Sequence, residues 1–65
     1  MFRIKPIRNK LGITQKELAD KVQIAQSYLS EIETGKANPS FQIIQRIALK
    51  LGVSMIDLLK ENDNS

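Results

Sequence analysis

Residues 14–35, TQKELADKVQIAQSYLSEIETG, decide the fold of this chain. They read as two short helices joined by a turn of about three residues. Thr14 stands where it can cap the first helix, and Glu17, three residues on, can reach back to complete a capping box. Ile13 and Leu18 flank that cap as a hydrophobic staple. Ala19 supplies a small side chain where a second helix has to cross closely. Val22, Ile24, Leu29 and Ile32 supply the apolar contacts that fix the crossing. The second helix carries Gln26, Ser27, Ser30, Glu31 and Thr34 along one polar stripe. A stripe without apolar content does not build a core. A short helix held at its base, with hydrogen-bonding side chains outward, has the size and chemistry that the DNA major groove admits.

Working outward, three more helices follow from caps and periodicity. One covers roughly residues 4–11, with Ile4, Ile7 and Leu11 on one face. Pro6 falls in its first turn, where a missing N–H costs little, and Gly12 ends it. Gly35 ends the recognition-type helix as a left-handed cap, and residues 36–39 form a turn. Ser40 caps a fourth helix, in which Phe41, Ile44, Ile47, Ala48 and Leu51 recur at helical spacing before Gly52 closes it. Ser54 and Asp57 start a fifth, flanked by Val53 and Leu58 and running to about Lys60. No strand alternation, internal repeat or linker interrupts the series. The expected fold class is all-α, a compact bundle of five short helices with a helix-turn-helix at helices 2 and 3. One domain over residues 1–60 is expected, with residues 61–65 as a polar C-terminal tail.

Composition narrows the function. The 65 residues contain no cysteine and no histidine, so disulfides and thiolate or imidazole metal sites are excluded. Asp20, Asp57 and Asp63 are scattered, and no metal or other cofactor is expected. Only Phe2, Tyr28 and Phe41 are aromatic, too few for a platform that stacks single-stranded bases. Ten Lys and Arg against seven Asp and Glu give a formal charge of +3, which permits an anionic partner without demanding one. The apolar runs are too short to span a bilayer, and no helix sets a dense Lys/Arg face against a large apolar one, so no membrane partner is expected. The opening residues, MFRIKPIRNK, lack an apolar signal region, which makes cytoplasmic residence the expectation. Thr14, Ser40 and Ser54 are accounted for as caps and Glu17 and Asp57 as their distal partners. Nothing left resembles a nucleophile paired with a base, so the chain is not expected to be an enzyme.

The order of these signals resembles the Cro and phage-repressor (XRE) family of helix-turn-helix DNA-binding proteins. The resemblance extends from Ile4 to about Leu59 and includes the GKANPS turn (residues 35–40) and the LGVS junction (residues 51–54). It implies a lambda-repressor-like domain whose third helix lies in the major groove of double-stranded DNA. By position, Gln26, Ser27 and Glu31 would meet bases, with Ser30 and Thr34 further back. Glutamine offers the donor and acceptor that adenine N6 and N7 require, although Gln26 also reads as a polar first-turn residue. Glu31 can accept from cytosine N4, exclude other bases, or pair with a nearby lysine. Gln15, first in the second helix, would meet a phosphate beside a helix N-terminus, against the plainer reading of N-terminal helix polarity. Tyr28 can reach a phosphate or simply pack. Lys36, Asn38 and Ser40 would hold a second phosphate patch, and Lys10 and Lys16 would add sequence-independent attraction. Arg8 and Glu33 match positions that family members pair across the first and third helices, implying a partly buried structural ion pair.

Two departures from the family pattern fall at the turn. Gln23 stands where many relatives have glycine, and Ala25 replaces the usual Ser or Thr cap. A left-handed Gln23 would cost roughly 1 kcal/mol unless the turn rearranges. Ile43, Leu49 and Ile56 point outward by periodicity and, with Leu59, would form an apolar patch suited to a homodimer. The leading expectation is a sequence-specific transcriptional regulator, a small repressor binding a palindromic operator as a dimer. The alternative is an antitoxin-like or other protein-interaction module that uses the same fold to hold a protein partner.

Overall fold

The computed structural model describes residues 2–59 as five α-helices: α1 (Ile4–Lys10), α2 (Gln15–Val22), α3 (Gln26–Glu33), α4 (Phe41–Leu51) and α5 (Met55–Leu59). The expected helix end at Lys60 and the polar tail, residues 61–65, lie outside the described residues. Helix α2 is central and touches α1, α3 and α4, while α5 packs on α4. One core joins them, built from Ile4, Leu18, Ala19, Val22, Leu29, Ile32, Ile44, Ile47, Ala48, Leu51 and Leu58. The backbone N–H of Arg3 donates to the carbonyl of Leu58 at 2.9 Å and ties the start of the chain to α5.

A single three-residue connector is used three times: Gly12-Ile13-Thr14, Gln23-Ile24-Ala25 and Gly52-Val53-Ser54. Its first residue has positive φ, at 73°, 67° and 73° respectively. Its second donates its N–H back to the preceding helix: Ile13 to Arg8, Ile24 to Ala19 and Val53 to Ala48, at 3.0–3.1 Å. That closes the helix C-terminus in a Schellman arrangement and satisfies carbonyls that would otherwise have no partner. The same branched residue is half-buried against the core, where it staples the next helix. The third residue is the next N-cap. Thr14 and Glu17 form a complete capping box, at 3.0 and 2.9 Å. Ser54 and Asp57 form another, at 3.2 and 3.3 Å. The Glu17 carboxyl is held below its ordinary value by the backbone N–H of Thr14 first and its hydroxyl second.

The connector between α2 and α3 is the exception at both ends. Gln23 adopts the left-handed conformation without being glycine, so the turn keeps its shape and carries the strain. Ala25 makes no side-chain cap.

Three apolar residues differ from the pattern expected of them. Phe41 and Leu11, placed by periodicity on core faces, are 68% and 51% exposed. Phe41 opens α4, where side chains lean back past the helix start, and Leu11 follows the last residue of α1, so helical angle no longer governs it. Ile43, expected to face outward, is half-buried and packs against the core, because α4 meets both α2 and α5 and buries a wide arc.

Replacing Gln23 by glycine is expected to raise stability by about 1 kcal/mol. The urea midpoint should move up with an unchanged slope; an unmoved midpoint would mean that the turn stores no strain.

Candidate nucleic-acid interface

The site is the outer face of α3 with the helix N-termini beside it. Helix α3 has eight residues and extends about 12 Å at 1.5 Å per residue. Leu29 and Ile32 are fully buried beneath it. Gln26, Ser27 and Glu31 are exposed, and Ser30 is half-buried. Thr34 turns back on its own helix: its hydroxyl lies 3.0 Å from the Ser30 carbonyl and 3.3 Å from that of Glu31. Thr34 stays exposed, but its hydroxyl proton is committed to its own helix end. Tyr28 is half-buried with its side chain against the core. Among the described residues Glu31 has no ion-pair partner.

Both ends of α3 are held by polar side chains from other helices. At its C-terminal end, Arg8 Nε donates to Glu33 Oε2 at 2.9 Å and a terminal guanidinium nitrogen donates to Oε1 at 3.1 Å. The two side chains are 8% and 3% exposed, so this is a buried, two-pronged ion pair. Arg8 also donates to the Ile13 carbonyl at 3.0 Å, inside the connector to α2. Gln15, half-buried at the start of α2, donates to Glu33 Oε1 at 3.1 Å. Its own carbonyl oxygen accepts from Gln26 Nε2 at 3.2 Å. A chain of four side chains thus runs from the protein interior to the first exposed residue of α3. Sequence reading placed Gln15 and Gln26 at separate jobs and did not join them.

The turn after α3 presents Lys36, Asn38 and Ser40 in exposed positions. The N–H groups of Lys36 and Ala37 bond back to the Glu31 carbonyl at 2.8 and 3.1 Å, which fixes the start of the turn. Ser40 caps α4 by accepting from the Ile43 N–H at 3.2 Å, and its hydroxyl proton stays free to donate. Lys16 is exposed and lies 3.4 Å from Asp20, which offsets part of its attraction for an anion. Lys10 is exposed at the end of α1. Arg46 went unnoticed in the sequence. From α4 it donates to the Val22 carbonyl at 2.9 Å, closing the C-terminus of α2 where a cation is favoured. No group of three or more acidic residues that could hold a metal ion occurs among the described residues.

A family model described as helix-turn-helix matches residues 4–58, the span of all five helices but for one residue. The chain belongs to the XRE family of helix-turn-helix proteins. It is 42% identical over 64 residues to the HTH-type transcriptional regulator SinR of Bacillus licheniformis, covering 97% of this chain and 58% of SinR. It is 37% identical to the immunity repressor protein of Bacillus phage phi105, covering 91% of this chain and 41% of the repressor. The chain therefore spans about half the length of these XRE relatives. A crystal structure of SinR, the master regulator for biofilm formation, in complex with DNA superposes with a TM-score of 0.82 at 42% identity, covering 89% of this chain and 94% of that one.

Removing one member of the buried ion pair strands the other. Glu33→Ala is expected to destabilise the domain by about 3 kcal/mol, whereas the Arg8→Met/Glu33→Leu double variant recovers most of that loss. Chemical denaturation of the three proteins checks this; a double variant as weak as the single would mean that the pair contributes more than mutual neutralisation.

Proposed function

We propose that this chain binds double-stranded DNA sequence-specifically as a transcriptional regulator, with α3 in the major groove. The observation that carries the reading is the outer face of α3: exposed Gln26, Ser27 and Glu31 on a helix clamped at both ends. Gln26 reads adenine through N6 and N7, and Ser27 and Glu31 contact neighbouring base edges, with Ser30 behind them. Gln15 and the turn residues Lys36, Asn38 and Ser40 meet phosphates at the N-termini of α2 and α4, joined by the Tyr28 hydroxyl. The likeness to the DNA-bound SinR structure supports a DNA-binding regulator and the likeness to a phage immunity repressor supports repression; a cytoplasmic place of action goes with that reading. Among the described residues no helix is long and apolar enough to cross a membrane.

The same reading makes the regulator a homodimer. Leu49, Ile56 and Leu59 are 73%, 71% and 52% exposed on the neighbouring helices α4 and α5, an apolar character that suits a two-fold contact. On a palindromic operator the two copies of α3 in such a dimer would have to lie about 34 Å apart, one turn of DNA. The second reading, a module that holds a different protein, rests on the same exposed residues and on the open groove beside α4 and the start of α5, where Leu49, Val53 and Met55 meet Gln42, Gln45 and Arg46.

Selection from a random duplex pool is expected to recover an inverted repeat whose half-sites lie one helical turn apart. Gln26→Ala should weaken binding to it by about 1–3 kcal/mol and relax one base position. Lys36→Ala should lower the salt slope by about 1 and leave the preferred sequence alone. Failure to enrich any sequence would remove the reading.

Dimerisation has its own test. Ile56→Glu is expected to leave the fold intact by circular dichroism, to give a monomer in sedimentation, and to reduce full-site affinity to that of a half-site. A variant that still sediments as a dimer would place the interface elsewhere.

A further inference from the structure

The three connectors differ in what holds the peptide leading into their left-handed residue. Glycine takes that position after α1 and after α4, at φ 73° in both, and Gln23 takes it after α2, at φ 67°. Arg46 Nη1 donates to the Val22 carbonyl, the one just before Gln23, at 2.9 Å. Among the described residues no side chain bonds to the corresponding carbonyls of Leu11 and Leu51. The connector that lacks glycine is therefore the one whose entering peptide is held from another helix.

The Val22–Gln23 peptide is a planar unit, and its tilt sets ψ of Val22 and φ of Gln23 together. Turning its carbonyl over carries Gln23 toward negative φ, which a residue with a Cβ prefers. The same rotation takes the Gln23 N–H off the Asp20 carbonyl, 3.2 Å away. Glycine has no such preference and needs no restraint. Gln23 does. Arg46 is placed to supply it because Ile44 and Ile47 beside it are buried, which fixes how α4 lies against α2. Its permanent charge also suits the partial negative charge of a helix C-terminus. Ala25 offers no side-chain cap from the far side of the turn.

We propose that Arg46 is a positioning residue for the helix-turn-helix: by holding the Val22 carbonyl it keeps the Val22–Gln23 peptide from turning over, and so fixes the angle at which α3 leaves α2. The consequence for DNA rests on the reading of α3 as the base-contacting helix; the restraint on the peptide does not. Arg46 acts through the turn and touches neither base nor phosphate.

The test is a double-variant cycle. Arg46→Met keeps an unbranched stem and removes the donor, and Gln23→Gly removes the strain. Without DNA, the amide-to-Hα coupling of Gln23 by NMR reads φ directly. It is expected to report positive φ in the wild type and to lose that signature in Arg46→Met. On the selected operator, Arg46→Met is expected to bind about tenfold more weakly, the scale of one hydrogen bond from a charged donor, with an unchanged salt slope. Gln23→Gly should bind as the wild type does, and the double variant should regain most of the loss. An equal loss with glycine or glutamine at position 23 overturns the inference. A salt slope lowered by about 1 also overturns it, because Arg46 would then be a phosphate contact. Should Arg46→Met fail to fold, the double variant must recover folding, and its failure to do so overturns the proposal. If no duplex is bound by any of the four proteins, the reading of α3 fails by itself. The NMR comparison then decides the restraint alone, and positive φ retained in Arg46→Met overturns it.

Discussion

The Glu33 carboxylate is the constraint on which this structure depends. A carboxylate with a side chain 3% exposed is tolerated only when paired and hydrogen-bonded. Arg8 supplies the charge, and Arg8 and Gln15 together supply three donors. Those partners sit on α1 and α2, so meeting the demand of one buried group fixes where α3 lies relative to both. An eight-residue helix has little stability of its own in water. Helix α3 exists because Leu29 and Ile32 are buried beneath it, and it has a fixed angle because its polar ends are tied.

The connectors explain how these five short helices close a core without a disulfide. In each, one residue bends the backbone, the next satisfies the outgoing helix and staples the incoming one, and the third stands at the N-cap of the next helix. The middle residue, Ile13 between α1 and α2 and Val53 between α4 and α5, therefore contributes to two helices at once. The connector inside the helix-turn-helix gives up both the glycine and the cap, with Gln23 at φ 67° and Ala25 without a cap bond. Compensation comes from outside the turn, through Arg46 on the α2 terminus and the Gln26–Gln15 hydrogen bond across it.

This arrangement separates three surfaces. The interior takes the branched aliphatic residues, the outer face of α3 keeps polar groups exposed, and α4 and α5 leave Leu49, Ile56 and Leu59 outside. The polar face is held at its first residue, since the Gln26 amide is already bonded to Gln15 and has less freedom to lose in any further contact. The exposed apolar residues lie on different helices from the polar face, so the two surfaces share no residue.

The sequence by itself determined the number of helices, their order and nearly all their ends. Those are local properties: a cap and its partner lie three residues apart, a left-handed residue follows the last turn, and the core face repeats every turn. The Arg8–Glu33 proposition was legible too, through the family resemblance. Tertiary structure alone decided that Gln15 bridges Glu33 and Gln26 and that Arg46 closes α2. It also decided that Phe41 and Leu11 stand exposed while Ile43 packs. Periodicity gives the angle of a side chain around its helix, but burial depends on which neighbour lies in that direction. Hydrogen bonds spanning 11 to 24 residues of chain, such as Gln26–Gln15 and Arg46–Val22, leave no local pattern and come into being only when the helices pack.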